Sequence, residues 1–234
     1  MATVVEHTLE LAPGDNLNRD EFLRRWERHP EIKRAELIGG VVYMPSPVSI
    51  EHGALESEVG TWLGTYQAYT PGCASGHNAT TMLLEEDTPQ PDLHLRILPE
   101  CGGMSRVDGD YLGGPPEFIA EICRSSAVYD LHQKLELYEE AGVPEYLAVL
   151  VREREIRWHI LKGGSYELLN PATGRLWKSN VFPGLWLDGK ALLARDMTRV
   201  LATLQKGIET PEHAEFVRKL AREKSRRKKV KGRS

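Results

Sequence analysis

Three charged residues could do chemistry together: Glu121 inside an apolar strand pattern, Lys134 on the apolar arc of the following helix, and Asp92 at the opening of another strand pattern. Glu121 lies in "PPEFIAEICRSS" (115–126), flanked by Phe118, Ile119, Ala120, Ile122 and Cys123, so an extended strand here is largely apolar on both faces. Burying an unpaired carboxylate costs roughly several kcal/mol or shifts its pKa until it neutralises, so Glu121 needs a partner. The next segment, "DLHQKLELYEEAG", offers one. At helical periodicity Lys134 falls between Leu137 and Tyr138 on the apolar arc, while His132, Gln133, Glu136, Glu139 and Glu140 fill the wet face. Asp130 also points with the apolar arc, so an i,i+4 Asp130–Lys134 pair with a snorkelling lysine is the plainer alternative.

A second acid precedes a strand pattern in "PQPDLHLRIL". Alternation puts Asp92 and His94 on one face and Leu93 and Leu95 on the other. Asp92 alone could be a turn or cap residue. Two acids on neighbouring strands and an inward lysine are harder to read as separate accidents. Without a cation the acids would repel one another, and at least one pKa should rise.

The elements that must position these residues follow from periodicity and turn signals. "NLNRDEFLRRWERHP" predicts a short helix capped by Asn18, and "RAELIGGVVYMP" a hairpin turning at Gly39-Gly40. "SPVSIEHGALESEVGTWLGTYQAY" has helical spacing and is broken by Pro71-Gly72. "TTMLLE" and "PDLHLRIL" predict strands, and the Gly-rich 99–115 segment a loop. The "FIAEIC" strand, a helix over about 128–141, the apolar "EYLAVLV" strand and a β-meander complete the order. The expected class is α/β, in an α+β mixed arrangement: a central sheet of about five to seven strands flanked by helices.

Composition is that of an ordinary globular protein, 41% hydrophobic and 27% charged. The start lacks the basic and apolar regions of a signal peptide, and three cysteines without a CxxC pair argue against a disulfide framework or a thiolate zinc site. A reducing cytoplasm is the expected compartment. The net charge of −4 is unevenly spread. Residues 215–234 hold ten Lys/Arg, among them Arg226, Arg227, Lys228 and Lys229, against Glu215 and Glu223. Such a block is either a solvated helix end or tail, or a nucleic-acid contact. The rest of the chain is acidic, so a polyanion meeting it would need metal ions or local basic groups.

Other motifs carry less. Asp108 and Asp110 in "RVDGDYLGG" read as a turn, and His52, after Glu51, as a capping or surface residue. Ser125-Ser126 could cap the following helix or edge a site. No Walker A or GxGxxG pattern is present, and no serine or cysteine nucleophile lies in a recognisable elbow.

Pro91-Asp92, the glutamate of "FIAEIC", and "DLHQKLELYEEAGVPEYLAV" resemble the Uma-type putative restriction endonuclease family of the PD-(D/E)XK nuclease superfamily. The upstream "AELIGGVVYMPSPVSIEHG" is similar to that family's entry, in which a glutamate precedes the turn. The resemblance implies a restriction-endonuclease-like domain over 18–197, after an extension at 1–17 and before a helical, basic tail at 198–234. It implies a DNA substrate and Mg2+ or Mn2+ as cofactor, with Asp92 and Glu121 as metal ligands, Lys134 as the water-side cation and Glu36 as a further acid. Many nucleases of the fold dimerise to cut both strands, so a homodimer is compatible with it. The superfamily lysine normally stands two residues after the second acid, where this chain has Cys123. His94 departs too, from a position usually apolar, and is an auxiliary ligand, a proton relay or a strand residue. Two other readings stay open: a non-catalytic nucleic-acid-binding protein on the same fold, and a structural Glu121–Lys134 ion pair in a closed core far from Asp92.

Overall fold

The computed structural model describes residues 10–44, 47–123 and 129–231. Ser125-Ser126 and the side chains at 129–131, Asp130 included, lie outside the described residues. Helix α1 (Arg19–Trp26) begins at Asn18, whose side chain accepts the Glu21 N–H, as its position before an amphipathic run predicts. Strands β1 (Glu36–Ile38) and β2 (Val41–Tyr43) pair antiparallel around Gly39 and Gly40. Both glycines have positive φ, +58° and +74°, the conformation a two-residue hairpin turn requires.

Helix α2 (Ile50–Tyr69) leads into β3 (Cys73–His77), β4 (Thr81–Met82) and β5 (Leu93–Ile97). The segment expected as a loop instead contains a 3-10 turn at Pro99–Cys101 and a small hairpin, β6 (Arg106–Asp108) and β7 (Tyr111–Gly113). Its glycines masked short strands whose alternation spans too few residues to register. Strand β8 (Phe118–Cys123), helix α3 (Tyr129–Glu140) and β9 (Glu145–Leu150) form a parallel unit. They are followed by β10 (Glu155–Lys162), β11 (Ser165–Leu168), β12 (Leu176–Lys178) and β13 (Trp186–Asp188). Helices α4 (Gly189–Leu193), α5 (Met197–Ile208) and α6 (Pro211–Lys231) end the chain.

The central sheet has six strands in the order β11-β10-β9-β8-β5-β3, with only β8–β9 parallel. A parallel pair needs a crossover, and α3 supplies it, which returns the helix over one face of β8. Alternation along β8 then separates two cores. Phe118, Ala120 and Ile122 join the larger cluster with Trp62, Trp158 and Leu204, where Trp62, Phe118 and Trp158 meet edge-on at 5.4–6.1 Å. Ile119 faces Leu137 and Tyr138 of α3 and Tyr146 of β9. Glu121 has the same parity as Ile119 and so looks toward α3. Helices α5 and α6 share the larger core through Val200, Leu204, Phe216 and Leu220. No helix among the described residues is long and apolar enough to cross a membrane.

Candidate active site

Four elements deliver charge to one place. Register sets β5 against β8 so that Leu93 opposes Ala120, which puts Asp92, just before β5, beside Glu121. The Asp92 N–H lies 3.5 Å from Glu121 Oε2, and Asp92 Oδ2 accepts the Ile122 N–H at 2.8 Å. From α3, Lys134 Nζ donates to Glu121 Oε1 at 2.9 Å and lies 3.1 Å from Glu36 Oε1 of β1. Tyr138, one turn on from Lys134, donates its hydroxyl to Glu121 Oε1 at 2.7 Å. Glu36 Oε1 also accepts the Gln90 N–H at 2.7 Å, tying the hairpin to the segment that carries Asp92.

The electrostatics follow from crowding. Burial pushes the Glu121 carboxyl up to about 7, Asp92 and Glu36 push the same way, and Lys134 opposes them. Burial disfavours the Lys134 ammonium, but Glu121, Glu36 and Asp92 together raise its pKa well above the ordinary value. For Asp92, burial acts upward, yet the nearby His52 ring, the Ile122 N–H and Lys134 hold the carboxyl below its usual range. Asp92 is thus held as an anion and Lys134 as a cation, with the Glu121 carboxyl between them poised near neutrality.

Glu36, Asp92, Glu121 and Lys134 are brought together. Cys123 ends β8 half-buried against the α3-side core, so the position two residues after Glu121 contributes no cation, and Lys134 arrives from the helix instead. His94 is buried in β5 opposite Gly76, where a Cβ would stand 2.4 Å from the imidazole, and its Nδ1 has no hydrogen-bond partner. Burial drives its pKa down to about 4. Arg226, Arg227, Lys228 and Lys229 lie exposed near the end of α6. Arg226, Arg227 and Lys228, with Lys224, Glu100 and Pro99, line a surface cleft of about 690 Å3.

Two residues differ from their sequence reading or were missed by it. His52 does not cap α2: Ser49 does, accepting the His52 N–H at 3.2 Å, while the His52 ring turns inward with Nε2 3.5 Å from Asp92 Oδ1. Glu56, one turn later, stands 3.8 Å from the same nitrogen. The signal was available, since His and Glu at i and i+4 share one helical face. Tyr138 was read as apolar filling although the same spacing aligns it with Lys134.

A mixed sheet with paired acids at its central strands and helices on both sides is the architecture of restriction-endonuclease-like nucleases. The chain is similar in fold to a putative nuclease of the DUF820 family from Anabaena variabilis, with a TM-score of 0.58 and 16% identity over 76% of this chain and 98% of the other. The chain belongs to the Uma2 family, described as putative restriction endonucleases, whose model matches residues 19–190. Comparison with curated proteins returns no match.

Proposed function

We propose that this protein is a metal-dependent endonuclease that hydrolyses DNA phosphodiester bonds. The observation that supports it most is the meeting of Glu121, Glu36 and Lys134 side chains from separate elements, with Asp92 just before the adjoining strand, its N–H 3.5 Å from Glu121 Oε2. A closed ion pair remote from Asp92 would have spoken against a nuclease, and the Asp92 N–H lies only 3.5 Å from Glu121 Oε2.

The donor chemistry fits a divalent cation: carboxylates supply hard oxygen donors, and Asp92 keeps Oδ1 free of any backbone hydrogen bond while Ile122 fixes Oδ2. Asp92 and Glu121 would hold Mg2+ or Mn2+, which when bound lowers the pKa of water and polarises a phosphoryl oxygen. Lys134 stabilises the negative charge that develops on the phosphate, held in place by Glu121 and Glu36. Tyr138 fixes the Glu121 carboxylate so that the lysine does not wander. The exposed cations near the end of α6 meet the DNA backbone, offsetting the acidic remainder of the chain.

The test is cleavage of plasmid and single-stranded DNA with Mg2+ or Mn2+ by wild type and Glu121→Gln. Cleavage by wild type that falls at least ~100-fold in the variant supports the reading. Equal cleavage by both marks a contaminant, and none by wild type turns the assignment toward nucleic-acid binding without catalysis. Replacing Arg226, Arg227, Lys228 and Lys229 by glutamine should flatten the dependence of DNA affinity on salt. An unchanged slope would remove the tail from the interface.

A further inference from the structure

We infer that helix α2 builds a metal site on Asp92: His52 Nε2 and Glu56 Oε2 join Asp92 Oδ1 as donors, and the imidazole makes this site favour a first-row transition ion such as Mn2+ over Mg2+. This rests on the nuclease reading only in sharing Asp92.

Geometry carries the inference. One atom from each of His52, Glu56 and Asp92 lies within 4.8 Å of the other two, a separation that a single ion can span. Each carboxylate has its other oxygen fixed elsewhere. Asp92 Oδ2 accepts the Ile122 N–H at 2.8 Å, and Glu56 Oε1 accepts the Asn78 side-chain amide at 2.7 Å, with His77 Nδ1 3.7 Å away. Such outer partners orient a ligand and leave one atom directed at the ion. His52 Nε2 is enclosed by protein and makes no well-formed hydrogen bond, lying 3.5 Å from Asp92 Oδ1 and 3.8 Å from Glu56 Oε2, contacts that an ion held between the three would replace. Asp92 is itself buried, so the cluster is not a patch of solvated surface charge.

The donor types point to the kind of ion. Mg2+ prefers oxygen ligands and retains several waters, whereas imidazole nitrogen is a better ligand for divalent ions of the first transition row, Mn2+ the weakest-binding of them, than for Mg2+. A site with one imidazole and two carboxylates therefore binds Mn2+ more tightly than an all-carboxylate site would relative to Mg2+.

The experiment titrates the full chain with MnCl2, following the loss of the free Mn2+ signal by electron paramagnetic resonance, with MgCl2 as competitor. Wild type, His52→Ala and Glu56→Gln are compared, each first shown folded by circular dichroism. About one Mn2+ per chain is expected, with affinity reduced at least ~10-fold in each variant and the preference over Mg2+ reduced most in His52→Ala. Variants that bind Mn2+ within twofold of wild type would overturn the inference, as would wild type that binds none. Because the readout is binding, Mn2+ held through His52 without DNA cleavage would sink the nuclease reading alone, and cleavage with His52-independent binding would sink this inference alone.

Discussion

Glu121 and Glu145 stand on neighbouring parallel strands, and both carboxyls are pushed up to about 7, burial being the first cause in each case. Their partners differ in kind. Glu145 is closed in by neutral donors: the Ser179 hydroxyl at 2.7 Å and the Asn180 and Val181 N–H groups at 2.6 and 3.1 Å. It staples the 179–181 segment to the sheet and, among the described residues, forms no ion pair. Glu121 shares its pocket with Lys134, Glu36 and Asp92, and beside them His52 keeps an unbonded nitrogen. A buried acid is therefore not in itself the mark of a site. Charge gathered beyond what neutralises it is.

The comparison can be broken most decisively at Lys134. Lys134→Ala should lower DNA cleavage by about two to three orders of magnitude and, by leaving Glu121 and Glu36 without their cation, destabilise the fold by ~3 kcal/mol. Cleavage kinetics and urea denaturation on one preparation check both, and intact cleavage would reduce the cluster to a structural ion pair. Glu145→Ala should destabilise comparably, by ~2–4 kcal/mol, because three donors lose their acceptor. Cleavage per folded molecule should hold in that variant, and a matching loss would erase the distinction between the two acids.

A third, smaller effect concerns pH. The folded pKa of Glu145 lies above its ordinary value of 4.5, so the folded state holds the proton longer than the unfolded one. Its contribution is full below about 4.5, is lost as pH rises to about 7, and is flat above that. Glu145→Gln should remove up to ~3 kcal/mol of that decline relative to wild type, read from denaturation midpoints at pH 5 and 8. An unchanged difference between the two pH values would show that the hydrogen bonds keep the carboxylate ionised. Smallest, His94→Leu should leave cleavage unchanged and raise stability by ~1 kcal/mol, since it removes a buried nitrogen without a partner. A drop in cleavage would return His94 to the site.

The sequence reading reached Glu121 and Lys134 because each broke a local apolar pattern, a break visible in one dimension; Asp92 was reached as the acid opening an alternating strand, and Glu36 only through the family resemblance. It reached the mixed sheet because "FIAEIC" and "EYLAVLV" carry the doubly apolar pattern of buried parallel strands. It passed over Glu145, which begins its strand and resembles a residue at the strand's wet end, yet is fully buried. It undervalued His52 because a histidine in the first turn of a helix looks solvated until a strand from elsewhere covers it. The short strands β6, β7, β12 and β13 escaped for a different reason: their pairing is tertiary, and each is only three residues long.

Helix α6 joins two unlike halves in one rod. Phe216 and Leu220 anchor its first half in the main core, while its cationic end continues the same hydrogen-bonded backbone. At a rise of ~1.5 Å per residue, Lys229 stands about 14 Å beyond Leu220, and its bearing is set by the anchor rather than by chance. The positive charge therefore works as a boom with a fixed heading, not as a tether. Inserting one residue between the halves would leave every charge present and swing the array by about 100°, separating electrostatic strength from electrostatic aim.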